Sequence, residues 1–296
     1  TYMDLYLDTE KPLYKSDHPI LLIALVLFLI AGLTYCFKKK EITTEICSAF
    51  EKFSLIWAAL ISLFIIFLFR VRVACDSAYL SDIAIDFLNG DYSSLTGNGY
   101  LVHYPHQLGM IALLEVIYAV FGIENYTVLQ FLNVIAIVST IYYLHRISDE
   151  MFHKPQIQIL LSLLCIGLLP LYLYTTFIYG DIPSLGLIVP AVYYIVRYLN
   201  TQKKIYSIPA IVLMTLSMEL KSNSSIILVA AIIILILHMI CHKDKFVVLF
   251  LLLLIGTPYI TNTAVNTCYA HAAKLDHIPS GIPKAAWIAM GLQSND

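Results

Sequence analysis

Long apolar runs separated by short polar breaks make up most of this chain: Ile20–Phe37, Phe53–Phe69, Thr127–Leu144, Ile157–Ile178, Pro183–Tyr198, Ile205–Glu219, Ser224–Met239 and Phe246–Val265. At 1.5 Å of rise per residue, about 20 helical residues cross the roughly 30 Å hydrocarbon core of a bilayer. The pattern predicts an all-α polytopic membrane protein with about eight transmembrane helices. Ile205–Glu219 is the weakest span, short and interrupted by Pro209. One long polar insert, Arg70 to Gly109, breaks the rhythm. Inside it Tyr79, Leu80, Ile83, Ala84, Phe87 and Leu88 recur at helical spacing, the signature of an amphipathic helix lying along an interface, and Asn89-Gly90 ends it. Pro105 opens a second helix, roughly His106 to Phe121, of marginal length for a span.

Charge sets the orientation. The triple lysine Lys38, Lys39 and Lys40 marks a cytoplasmic helix end, which places Thr1 outside and opens the Arg70 insert on the exterior. The basic cluster His145, Arg146, His153 and Lys154 is then cytoplasmic only if the helix from His106 to Phe121 does not cross. On that count most of the 18 lysines and arginines flank cytoplasmic ends. The Arg70 insert, Tyr179–Pro183, Glu219–Asn223 and the closing Asn266–Asp296 segment share the exterior face. The expected organisation is a single transmembrane domain over 1–296, truncated at both ends, with an exterior loop over 70–126 that carries juxtamembrane helices.

Composition narrows the function classes. Hydrophobic residues are 59% of the chain, charged residues 13%, and mean hydropathy is +0.79, too apolar for a soluble globule of this size. A net charge of −2 leaves no basic stripe for nucleic acid. The six cysteines are scattered without metal-ligand spacing, although Cys75 and Cys268 could share a membrane face.

Among residues able to do chemistry, Asp76 carries the most weight. It continues the apolar stripe of the interfacial helix through Leu80 and Ile83, whereas Asp82 and Asp86 lie on the wet face. A carboxylate on the apolar side is costly without a partner or substrate. Arg72 is a possible partner, and a solvated charge at the headgroups is the alternative. His103 and His106 flank Tyr104-Pro105. With Asp76 they can be drawn as a metal set of unspecific spacing, or as hydrogen-bonding groups for substrate or loop. Asp181 sits where a helix restarts, as a cap or a substrate contact. Lys221 stands in a turn between two spans, where a lone cation needs an anion: a phosphate, with Arg70 and Arg72 as companions, or Glu219. Tyr100, Tyr104 and Tyr179 also suit an interfacial aromatic belt.

At these residues the sequence resembles the GT-C superfamily of multi-spanning glycosyltransferases, and within it the family 39 proteins, ArnT-like and protein O-mannosyltransferase-like. The resemblance is carried by Asp76 soon after an early span, Gly90 ending the interfacial helix, the phrase from Tyr100 to Gly109 (YLVHYPHQLG), the Tyr-Gly-Asp ending at Asp181, and the Leu-Lys-Ser-Asn from Leu220 to Asn223. It implies a bacterial plasma-membrane enzyme, active on the exterior face, that transfers sugar from a polyprenyl-phosphate donor to an unidentified acceptor hydroxyl. Asp76 would be the catalytic acid that binds or deprotonates the acceptor. Arg70, Arg72, His103, Tyr104, His106, Asp181, Lys221 and Asn223 would contact substrate, with cations stabilising the leaving phosphate. Some members of the family use a metal; with no Asp-x-Asp or Asp-Glu pair at Asp76, no metal ligand is assigned here and a divalent ion stays open. A transporter or flippase is the alternative, built on Asn133, Pro170 and Pro190 as pathway residues, and a scaffold subunit is a third.

Overall fold

The computed structural model describes residues 2–5, 12–15, 19, 20, 23, 24, 27, 28, 31, 32, 43–69, 73–283, 285, 286 and 289. The chain divides into two compact units, Thr1–Ser48 and Ala49–Asp296. In the first, strands β1 (Tyr2–Leu5) and β2 (Pro12–Lys15) pair antiparallel with Tyr2 opposite Lys15. The sequence reading has no strand here, because four residues a side are too few for a two-residue period to register. Most of the expected Ile20–Phe37 span, its closing lysines, and Arg70 and Arg72 lie outside the described residues.

Among the described residues, the second unit is all helix and turn. The principal helices, the first of which begins just ahead of Ala49, are α1 (Thr44–Leu68), α2 (Asp76–Leu88), α3 (Leu108–Phe121), α4 (Tyr126–Phe152), α5 (Pro155–Gly167), α6 (Asp181–Thr201), α7 (Ser207–Leu220), α8 (Ser225–His242) and α9 (Phe246–Ala272). Five helices among the described residues are long and apolar enough to cross a membrane: α1, α4, α6, α8 with its leading turn, and α9. Two bent pairs raise the number to seven if each is one span: Ser93–His103 with Pro105–Phe121, bent by 100°, and Pro155–Gly167 with Leu169–Thr176, bent by 49°. The protein is an all-α polytopic membrane protein, as the hydropathy pattern predicts. The expected count of eight is not reached among the described residues. The Ile20–Phe37 run is largely outside them, and α7, at 14 residues, spans only about 21 Å.

Proline breaks the helices, and neighbouring side chains repair the breaks. Proline cannot donate to the carbonyl four residues earlier, and inside a bilayer an orphaned carbonyl costs several kcal/mol. Pro170 orphans Ile166, whose carbonyl accepts the Trp57 indole N–H of α1 at 3.1 Å. Pro190, inside α6, orphans Gly186, whose carbonyl accepts the Ser139 hydroxyl of α4 at 3.2 Å. Gly186 also lets α4 come close, since a Cβ there would stand 2.5 Å from that of Ala136. The Asn133 amide donates to the carbonyls of Thr175 and Phe177, both at 3.0 Å, and ties down the end of the second bent pair.

Three apolar clusters follow: α2 on α3, α6 with α7, α8 and α9, and α1 with α4 and α5. In α2 the buried face is Ser77, Leu80, Ser81, Ile83, Ala84 and Phe87, turned onto α3, while Tyr79 and Leu88 stay exposed. Buried Ser81 is bonded to the hydroxyls of Tyr118 and Tyr126 at 2.8 and 3.0 Å. Gly90 takes φ 81°, the left-handed geometry that ends the helix. At the bundle end that carries Arg146 and Arg197, those cations pair with Glu51 and Glu150.

Candidate active site

Four separate segments meet at the opposite end of the bundle, around Tyr179 in the loop that precedes α6. Asp76 is the first residue of α2, exposed, and Cys75 before it holds φ 51° and ψ −134°, a backbone conformation few non-glycine residues adopt. The Tyr179 hydroxyl donates to Asp76 Oδ2 over a long 3.4 Å, and Gln107 Nε2 donates to the same Tyr179 oxygen. Because Gln107 occupies a lone pair, the tyrosine proton is left to point at the carboxylate. Burial, with the Asp76 charge second, pushes the Tyr179 hydroxyl up to about 12, so it stays a donor at neutral pH. Tyr100 lies near Asp76, and its hydroxyl is raised by burial first and then by its Tyr179 and Asp76 neighbours. Its ring stacks on Tyr79 at 5.1 Å and meets Tyr104 at 4.8 Å.

Lys221 closes the other side. Its Nζ donates to Asp181 Oδ2 at 3.1 Å and lies 4.1 Å from the centre of the Tyr179 ring, a cation–π contact. The Lys221 side chain is only 19% exposed, that of Asp181 41%. Two glycines make this arrangement possible by admitting the last turn of α7. A Cβ on Gly109 would overlap the Glu219 carbonyl, and one on Gly180 the Leu220 carbonyl. Beneath them three buried hydroxyls form a knot: Ser184 to Ser217 at 3.1 Å, Ser184 to Ser224 at 2.9 Å, and Ser217 to Ser224 at 2.7 Å. Ser184 is three residues from Asp181 and Ser224 three from Lys221, so the knot fixes the two charged residues against each other.

The remaining sequence candidates fall out differently. His106, exposed as a residue, lies within electrostatic reach of both Lys221 and Asp76; partial burial first, then Lys221, lowers its ring from the ordinary histidine value. His103 turns its ring toward Tyr104 while its carbonyl accepts the N–H of Ile282 at 3.1 Å. Asn223 is exposed in the turn before α8, where its carbonyl helps close the turn. Lys221 pairs with Asp181 rather than Glu219. Arg70 and Arg72 are outside the described residues. Among the described residues no three His, Cys, Asp or Glu side chains converge as metal ligands, so Asp76, His103 and His106 do not form such a set. Cys75 and Cys268 are both free. Sequence reasoning missed Gln107 and the serine knot. Gln107 carries no charge to flag it, and the serines become visible only as offsets of three or four from Asp181 and Lys221.

Two hollows flank the Lys221 turn. On one side an open, almost wholly apolar groove of about 700 Å³ runs between α3, α4, α6 and α7, past Leu113, Pro183, Leu220, Leu213, Leu132 and Tyr194. On the other a more polar cavity of about 510 Å³ lies against α7, α8 and α9.

A charged and tyrosine-rich locus at one end of an apolar helix bundle, beside an open apolar groove, defines an integral membrane protein with a polar site at one end of its bundle. Residues 106–261, more than half of the chain, match the dolichyl-phosphate-mannose-protein mannosyltransferase family, and the chain belongs to that family of membrane glycosyltransferases. The match takes in His106, Gln107, Tyr179, Asp181 and Lys221 and begins after Asp76. No curated protein and no solved structure matches the chain.

Proposed function

We propose that this protein transfers a sugar from a polyprenyl-phosphate-linked donor to an acceptor hydroxyl at the exterior membrane face, within a single transmembrane domain whose 70–126 loop lies along that face. The observation that supports the reading is the nearness of the Lys221–Asp181 pair to the wall of the apolar groove. Leu220 and Pro183 line the groove, and the first is the neighbour in sequence of Lys221, the second two residues from Asp181. A long isoprenoid chain in the groove puts its phosphate at the lysine. The ammonium has three donors and spends one on Asp181, which leaves two for phosphate oxygens.

The chemistry is then a displacement at the anomeric carbon. Asp76 accepts the proton of the acceptor hydroxyl as its oxygen bonds to that carbon. The carbon–oxygen bond to phosphate breaks with its electron pair, and the charge that gathers on the leaving phosphate is met by Lys221, with Arg70 and Arg72 as further candidates. Gln107 and Tyr179 act as positioning residues, since their relay fixes which Asp76 oxygen remains free. Tyr104, His103 and Asn223 stand at the rim as candidate substrate contacts.

Replacing Asp76 by Asn tests the assignment in purified protein supplied with a lipid-phosphate sugar. Transfer should fall by about 10²–10⁴-fold, with membrane insertion and donor binding unchanged; retained transfer rejects Asp76 as the base. The transporter reading predicts flux of label across vesicles without a covalent product. The residues on which it would rest are engaged otherwise: Asn133 holds Thr175 and Phe177, and the breaks at Pro170 and Pro190 are closed by Trp57 and Ser139.

A further inference from the structure

The polar cavity on the far side of the Lys221 turn is unaccounted for by the machinery above. Its walls mix Pro105, Met218, Pro258 and Ile278 with a set of neutral hydrogen-bonding groups and a single carboxylate, Glu219. Glu219 is half-buried at the end of α7, and among the described residues no lysine, arginine or histidine forms an ion pair with it. A carboxylate in that position at a membrane boundary is costly without a partner. Its neighbours in that wall include amides: Asn262 lines the same cavity close enough to Glu219 to favour the charged carboxylate, and Asn266, one turn on along α9, donates to Asn262 Oδ1 at 3.1 Å. Ser222, Ser225 and Ser280 add hydroxyls around the same space.

That inventory suits one kind of ligand. A carboxylate with lone pairs to spare, amides that donate and accept, and hydroxyls that do either match the adjacent hydroxyl groups of a sugar ring. A second phosphate would meet Glu219 as a like charge, and among the described residues no metal-ligand set is gathered there. A volume of about 510 Å³ lies within the range of small-ligand sites. The position is as telling as the chemistry. His106 lines the cavity and also lies within electrostatic reach of Lys221 and Asp76, and Ser222 follows Lys221 directly. A phosphate held at Lys221 with its isoprenoid chain in the groove therefore has its other ester substituent directed into the cavity.

We propose that this cavity receives the sugar ring of the donor, and that Glu219, Asn262 and Asn266 hydrogen-bond its hydroxyls and so determine which sugar is transferred. The assignment rests on the reading of Lys221 as the phosphate contact, and the test separates the two. Equilibrium binding to the detergent-solubilised full chain is measured for farnesyl phosphate and for farnesyl phosphates bearing mannose, glucose or galactose. The wild type should bind at least one glycosylated form about tenfold more tightly than farnesyl phosphate, the gain expected of one or two well-made hydrogen bonds. Glu219→Gln and Asn262→Ala should erase that preference and leave farnesyl phosphate affinity as it was, whereas Lys221→Ala should weaken every compound. Equal wild-type affinity for glycosylated and bare farnesyl phosphate, or a preference that survives both substitutions, overturns the sugar site and leaves the phosphate reading standing. No farnesyl phosphate binding by the wild type, or full binding by Lys221→Ala, overturns the phosphate reading itself. If Glu219→Gln loses farnesyl phosphate too, Ser225→Leu decides instead: it fills the cavity without removing a charge, and must cost only the preference. A free methyl mannoside that binds alongside the glycosylated compound, rather than in competition with it, assigns the cavity to an acceptor and overturns the proposal.

Discussion

Tyr179 does three things with one side chain: its hydroxyl reaches Asp76, its oxygen accepts from Gln107, and its ring face carries Lys221. Removing only the hydroxyl separates them. Tyr179→Phe should keep the ring under Lys221 and therefore keep donor affinity, while kcat falls by roughly tenfold, the worth of one orienting hydrogen bond; steady-state kinetics that split kcat from KM check it. His106 gives a pH prediction at the same scale. Its folded-state affinity for protons is lowered, so the folded protein holds fewer protons than the unfolded chain below the ordinary histidine range. Stability should therefore be full above about pH 6.5 and decline as pH drops below it. His106→Gln should flatten that part of the profile, read as thermal unfolding in detergent against pH.

Helices decide how well these residues are held. The last turn of α7 is wedged between Gly109 and Gly180, both against its carbonyls. Gly180→Ala should drive that turn outward, cost about 1–3 kcal/mol by overpacking, and raise the KM for donor more than Ser217→Ala does, since the latter leaves two of the three knot hydroxyls in contact. What the sequence made legible divides along the same line. Hydropathy foretold α1, α4, α6, α8 and α9 because a bilayer demands long apolar runs, whatever they pack against. Asp76, Asp181 and Lys221 stood out because charge near a bilayer is costly. Gln107, Ser184, Ser217 and Ser224 did not, since a neutral polar side chain in a helix gains meaning only from the neighbour it meets. The apolar stripe of α2 was legible as a face, but the sequence could not say that the face turns onto α3, or that Ser77 and Ser81 lie within it.

Across the whole molecule, the apolar groove and the proline repairs share one construction. Pro190 lines the groove, and the Ser139 that satisfies its orphaned carbonyl partner lines it as well. Bulk placed there should discriminate by chain length. Leu213→Trp, away from the charged end, is expected to weaken long-chain donors about tenfold and short prenyl donors little, as burying fewer methylenes predicts; a KM series against prenyl length checks it.

The segment beyond α9 doubles back to the Tyr104 bend: Ile282 donates to the His103 carbonyl, Gly281 at φ 77° sits where a Cβ would stand 2.8 Å from the Pro105 ring, and Ile278 to Ser280 cover the polar cavity. These three residues follow every other wall of the cavity in sequence. A released chain cut after Ala272 would therefore keep the same helices and leave that chamber without one of its walls, more open to water.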